Sequence, residues 1–211
     1  MSNYRELVEE RLEFNLLPPN QYYEEVQVKK AVGLHHTAGG SADSSIGGWI
    51  ADKDRVATPV LIERDGAIIQ SYPSKFWAFS FGIAAANYKE IEKQTIPIEI
   101  CCYGYLKKVG NKYFNAYGGE VKDVCILDKP WRGQTAFENY TDAQIESVRR
   151  LLLYWGEKYS ITFEYSDKMW DIWDVAQRGE ASLVSHACYR RDKTDAYPHP
   201  KLIEMLKKLN T

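Results

Sequence analysis

The chain has 211 residues with 27 basic and 29 acidic side chains, a net charge of −2, which excludes a protein held on nucleic acid by a basic surplus. Hydrophobic residues make up 45% and aromatic residues 13%, enough for a buried core without disulfide or metal staples and too much for a disordered chain. No apolar run approaches the length that spans a bilayer, so no membrane insertion is expected.

Along the chain, apolar spacing predicts a helix over residues 4–17, with Leu7, Val8, Leu12 and Leu16 on one side and Pro18-Pro19-Asn20 as its stop. This start is charged and periodic, unlike a secretory signal, so synthesis in a cytoplasm without a leader is expected. Residues 1–28 read as an N-terminal helical extension packed on a domain that spans 29–211. Lys29 to His36 predicts a strand that runs into the polar loop TAGGSADSS, where Ser44 or Ser45 caps a short helix near Ile46 to Ala51.

Thr58 to Glu63 and Ala67 to Tyr72 flank Arg64-Asp65-Gly66, a hairpin signal because Gly accepts positive φ at the turn. Thr95 to Tyr103 predicts another strand, and Pro97 within it argues for a sheet edge or a bulge. Residues 104–140 predict a small hairpin (Lys112 to Asn115 with Val121 to Leu127) and a long loop. Thr141-Asp142-Ala143-Gln144 is a capping box, and Ile145, Val148, Leu152, Trp155 and Tyr159 form one buried stripe behind it. A second helix is expected from Ser166 to Arg178, ending at Gly179, then a short strand Ala181 to Val184 that leads to His186. Pro200 opens a last helix with Leu202, Ile203, Leu206 and Leu209 inward. The four cysteines, Cys101, Cys102, Cys125 and Cys188, form no CxxC pair and read as reduced thiols.

Only four histidines are present, and His35 and His186 fall where strands end, the usual place for a site. With Asp195, nine residues beyond His186, they make a set of two imidazoles and one carboxylate. Such a set can hold zinc and leave a position open, activating water for amide hydrolysis. The same residue types also fit a tandem pair on a strand end with no metal, or an iron oxygenase triad, although the His-x-Asp triplet usual there is absent. Cys188 near His186 would be a poorly placed nucleophile–base pair. His199, between two prolines, reads as a surface residue.

Longer stretches carry a resemblance. Leu34-His35-His36-Thr37-Ala38-Gly39 resembles the opening motif of the zinc-dependent N-acetylmuramoyl-L-alanine amidases. This is the family shared by phage amidase lysins, bacterial muropeptide amidases and peptidoglycan recognition proteins. Val60 to Gly66 with Ile68-Ile69-Gln70 resembles its hairpin, and Thr95-Ile96-Pro97-Ile98-Glu99 its Ser-Ile-Gly-Ile-Glu strand. Tyr140 to Gln144 is similar to the start of its long helix, and Ser185-His186 with Lys193-Thr194-Asp195 to its closing metal segment. These pieces occur in family order over about residues 29–200.

The resemblance implies an α/β fold with a single mixed central β-sheet flanked by helices, with insertions at about 104–140 and 162–180. It implies Zn2+ on His35, His186 and Asp195, with His36 facing away. Glu99 matches the glutamate that shuttles the proton of the attacking water, and Lys193 a lysine beside the scissile carbonyl. The implied substrate is peptidoglycan or a muropeptide, cut between N-acetylmuramic acid and L-alanine. A non-catalytic peptidoglycan-binding module or a phage structural component is the alternative, and wall access would follow pore release, phage delivery or secretion. Thr58-Pro59 stands where relatives carry Tyr-His or Ala-His, and Phe79-Ser80-Phe81-Gly82 where they carry a Trp-His-Ala-Gly-like segment. Thr58, Ser80, Trp131 and Arg132 are therefore expected at the substrate, and Tyr103, Tyr105, Tyr113 and Phe114 are candidates for the groove wall.

Overall fold

The computed structural model describes residues 4–52, 54–84 and 86–209. In chain order the first elements are α1 (Tyr4–Glu9), β1 (Leu12–Phe14), β2 (Ala31–His36), α2 (Ala42–Ala51), β3 (Val60–Ile62), β4 (Ile68–Gln70), α3 (Tyr88–Gln94) and β5 (Thr95–Ile100). Then come β6 (Lys107–Val109), β7 (Lys112–Phe114), β8 (Glu120–Val121), β9 (Val124–Trp131), β10 (Gln134–Glu138), α4 (Asp142–Tyr159), α5 (Asp174–Gln177), β11 (Leu183–Ser185) and α6 (Pro200–Lys207). Six strands form one mixed sheet in the order β1-β4-β3-β5-β2-β11. Only the β3–β4 hairpin is antiparallel, and Gly66 sits in its turn at φ +90°, a conformation that favours glycine. The expected α/β class with a mixed sheet holds.

Strand alternation gives the sheet two buried faces. Val32, Leu34, Ile96, Ile98 and Ile100 share one cluster with Val148, Leu152 and Trp155 of α4 and Leu202 of α6. Full burial of a side chain such as Leu152 contributes about 1.5–3 kcal/mol. The other face carries Leu61, Ile69 and Cys101 and packs on Ala42 and Ile46 of α2. The capping box on α4 forms as expected: Thr141 Oγ1 accepts from the Gln144 amide at 3.0 Å and Gln144 Oε1 from the Thr141 amide at 3.1 Å. Gln144 also donates from Nε2 to the carbonyls of Cys101 (2.9 Å) and Ile62 (3.2 Å), which ties the start of α4 to the C-terminal ends of β5 and β3.

Several expected elements differ. The N-terminal helix ends at Glu9, and Leu12–Phe14 instead pair in parallel with Ile68–Gln70, so the described part of residues 1–28 completes the sheet as well as packing on α4. Sheet pairing there overrides helical spacing. The cap of α2 is Ser41, three residues before Ser44, because Ser41 Oγ accepts from the Ser44 amide. Pro97 lies in an interior strand, not at an edge. The Cys101 amide donates to Ile62, so odd residues of β5 direct their amides toward β3, and that ladder begins only at Ile98. The missing N–H of proline thus falls beyond its end.

Residues 104–140 are mostly strand: β6-β7-β8 form one small antiparallel sheet and β9-β10 another. The expected helix from Ser166 to Arg178 is broken into a 3-10 turn, Asp167–Trp170, and α5. Asp171 is extended between them, its carboxylate bonded to the Ile172 amide and to Arg132. All four cysteines are free thiols.

Candidate metal centre and active site

His35 is the fifth residue of β2 and pairs in register with Glu99 of β5, which pairs in turn with Leu61 of β3. Register partners project to the same face, so His35 and Glu99 stand side by side on the α2 side of the sheet. His36 takes the opposite face, where its Nδ1 lies 3.0 Å from the Tyr140 hydroxyl, as alternation requires. His186 directly follows β11, whose Ser185 pairs with Leu34, so the second imidazole arrives next to the first; the rings are 4.7 Å apart.

Asp195 closes the group. The next amide, Ala196, donates to the Leu34 carbonyl at 3.2 Å, and Tyr197 stacks between Phe137 (4.3 Å) and Tyr140 (4.5 Å). One oxygen, Asp195 Oδ2, lies 3.1 Å from His35 Nδ1 and 2.9 Å from His186 Nδ1. One ligand atom from each of the three residues lies within 4.8 Å of the others, and among the described residues this is the group that could hold a metal ion.

The donor chemistry fits zinc. His186 Nε2 lies 2.8 Å from the Phe81 carbonyl, which can only accept, so Nε2 carries the proton and Nδ1 of the neutral ring is a bare lone pair. That lone pair faces a carboxylate oxygen, an arrangement a cation between them satisfies. A backbone carbonyl on the far nitrogen is the usual orienting partner of a metal-bound histidine. Burial pushes His35 down to about 4 against the opposing pull of Asp195, so near neutrality its ring is in the neutral, ligating form.

Glu99 is half-buried, and its Oε2 is enclosed with no hydrogen-bond partner among the described residues. Burial, reinforced by the charge of Asp195 and opposed by Lys193, pushes its carboxyl well above the usual range. A carboxyl raised by burial beside a candidate metal site is suited to proton transfer. Lys193 is half-buried, and its charge reaches both Glu99 and His35.

The four expected substrate residues have polar groups engaged within the chain, although Arg132 Nε is buried with no hydrogen-bond partner among the described residues. Thr58 is buried and donates to the Val60 carbonyl at 3.0 Å, and Ser80 donates to Glu92 from both its amide and its hydroxyl at 2.9 Å. Trp131 donates from its indole to the Trp170 carbonyl at 2.8 Å. Arg132 donates to the carbonyls of Ala187 (2.9 Å), Arg190 (2.5 Å) and Lys193 (2.8 Å), and so spans the loop between His186 and Asp195. His199 is not a surface residue: it is 3% exposed, accepts the Leu202 amide as the cap of α6, and bonds Asn139 at 2.7 Å.

Two contributors had no sequence signal. The Phe81 carbonyl is a backbone group, which no side-chain pattern reports. Glu92 lies in the charged helix YKEIEKQ and looks solvated there, yet it is 1% exposed and fixes the amides of Ser80 and Phe81.

A family model described as N-acetylmuramoyl-L-alanine amidase matches residues 25–200. Among solved structures, PlyL aligns at a TM-score of 0.55 with 15% identity, over 95% of this chain and 97% of that one. The N-acetylmuramyl-L-alanine amidase AmiD from E. coli, in complex with the substrate anhydro-N-acetylmuramic acid-L-Ala-D-gamma-Glu-L-Lys, aligns at 0.53 with 19% identity, over 87% of this chain and 59% of that one. These likenesses establish the fold. No curated protein sequence matches the chain.

Proposed function

The chain belongs to the N-acetylmuramoyl-L-alanine amidase family, and we propose that it cuts the peptidoglycan amide between the lactyl group of N-acetylmuramic acid and L-alanine with a zinc ion held by His35, His186 and Asp195. The observation that carries this reading is the convergence of both histidine Nδ1 atoms on one Asp195 oxygen, beside an enclosed glutamate. Zinc in that position would supply Lewis-acid activation of water and of the scissile carbonyl.

The chain's own residues do the rest. Glu99 takes a proton from the attacking water as its oxygen adds to the lactyl carbonyl carbon. Glu99 then delivers that proton to the alanine nitrogen as the C–N bond breaks, and the second proton of the water passes from the new lactyl carboxyl group to the same amine, leaving a lactyl carboxylate and an alanine ammonium. Its raised pKa supports both halves of this transfer. The Lys193 ammonium offsets the negative charge that develops on the carbonyl oxygen. Phe81 and Arg132 act on position only: one orients His186, the other holds the loop that carries Lys193 and Asp195. The alternative, a binding module without catalysis, leaves the Glu99 carboxyl and the three-ligand set without a task.

No helix among the described residues is long and apolar enough to cross a membrane. We place the action at the cell wall, reached by pore release, phage delivery or secretion. Mass spectrometry of digested peptidoglycan tests the reaction: new free alanine amines with intact glycan strands are expected. Digests that hold only new reducing sugar ends, or no new alanine amine, would overturn it.

A further inference from the structure

The strands that carry His35 and Glu99 both run on into one cleft. After β2 the loop Thr37–Ser41 leads to α2, and Tyr103 follows three residues after the end of β5. The inserted sheet β6-β7-β8 brings Tyr117 over the same loop, where its hydroxyl donates to the Ala38 carbonyl at 3.2 Å. Tyr103 and Tyr117 meet edge to face with ring centroids 6.2 Å apart. The rings, with Gly39, Gly40, Ser41 and Ser44, line an open cleft of about 540 Å³. That volume lies within the range of small-ligand sites.

The cleft is built rather than incidental. A Cβ on Gly40 would lie 2.4 Å from the Tyr103 hydroxyl, so the loop closes on that ring only with glycine there. Asn115 Oδ1 accepts from the amides of both Tyr117 and Gly119, which fixes the turn that presents Tyr117. Tyr117 is nevertheless 76% exposed. An ordered aromatic ring left in water beside serine hydroxyls is a surface that recognises a ligand with apolar faces and many hydroxyls.

The six lining residues include no basic side chain, which disfavours the carboxylates of a stem peptide and favours neutral sugar. Ala38 is three residues past His35, at most about 11 Å of extended chain. We propose that this cleft is a saccharide subsite, which holds the glycan strand next to the muramoyl unit whose amide is cut. The inference rests on the amidase reading above.

The test compares Tyr117→Ala and Tyr117→Phe with the wild-type protein on two substrates: polymeric peptidoglycan, and a single muramoyl peptide with no further sugar. Tyr117 is 76% exposed, and its hydroxyl bond to the Ala38 carbonyl and its contact with the Tyr103 ring both lie in this cleft, so its truncation leaves the fold in place. The expected result for Tyr117→Ala is a rise of about five- to tenfold in KM on polymer with the short substrate unaffected. Tyr117→Phe, which keeps the ring, stays near wild type. Calorimetry with peptide-free glycan oligomers should show binding that Tyr117→Ala loses. Equal effects on both substrates, no effect on either, or a loss that follows stem-peptide length at constant glycan would overturn the subsite. A wild-type protein that cuts neither substrate would instead overturn the amidase reading.

Discussion

The ring nitrogen Nε2 of His186 donates to the carbonyl of Phe81 at 2.8 Å, and this bond fixes which nitrogen of His186 is free to bind a metal. Nδ1 of His186 and Nδ1 of His35 both lie within 3.1 Å of Asp195 Oδ2, and a divalent cation would satisfy the His186 lone pair and the carboxylate oxygen together. The protein should therefore carry close to one zinc per chain by elemental analysis. Chelation should abolish amide cleavage and lower the melting temperature, and zinc should restore both. At a free zinc level 1,000-fold above Kd, binding adds about 4 kcal/mol to stability. A chelated, metal-free protein that keeps its full rate would rule out this centre.

Glu99 allows a cleaner separation of binding from chemistry. Glu99→Gln keeps the shape and removes the proton exchange. Zinc content should stay near wild type while kcat falls by about 10²- to 10⁴-fold, the usual contribution of a positioned acid–base group. Because the isolated carboxyl is destabilised by burial, the amide should leave the melting temperature unchanged or raise it. Wild-type turnover in this variant would remove Glu99 from the reaction.

The grouping of His35 with His186 as candidate ligands was legible because both lie at strand ends: His35 is near the end of an apolar strand and His186 opens a polar loop. The capping box at Thr141 was legible for the same reason, since both of its bonds lie within four residues. What escaped depends on tertiary pairing. Leu12–Phe14 have helical spacing but gain more by completing the sheet against Ile68–Gln70. Pro97 looks like an edge residue, and only the late start of the β3 ladder makes an interior place tolerable. His199 and Glu92 look solvated in sequence, and their burial depends on partners at Asn139, Ser80 and Phe81 that lie far off or carry no pattern.

Arg132 tests whether the loop between the ligands needs a brace. Its guanidinium holds three backbone carbonyls of residues 187–193, and its side chain is 11% exposed. Arg132→Ala leaves those acceptors without their donor and should destabilise the protein by about 3 kcal/mol. Zinc affinity should drop by about 10- to 100-fold, as for other residues that orient ligands without touching the metal. Arg132→Lys keeps the charge but not the planar fork and should fall between. Normal stability and zinc affinity with a raised KM would place Arg132 at the substrate instead.

His199 sets part of the acid sensitivity. Its Nε2 donates to Asn139 Oδ1, which leaves Nδ1 as the acceptor for the Leu202 amide at the start of α6. Burial pushes its pKa down to about 4, with Lys201 adding to the effect. Between the unfolded value of about 6.5 and the folded value, the unfolded chain binds a proton that the folded chain does not. Stability therefore falls as pH falls through that window, by up to about 1.4 kcal/mol per pH unit from this group. His199→Asn keeps a capping oxygen without a titrating ring. Urea unfolding at pH 7, 6 and 5 should show a shallower decline in the variant, although its stability at pH 7 is lower for want of the Asn139 bond. The difference between the two curves cancels every contribution they share, including that of the metal ligands. Parallel curves would mean that the folded protein accepts a proton on His199 as readily as the unfolded chain does, and that the Nδ1 cap does not hold it neutral.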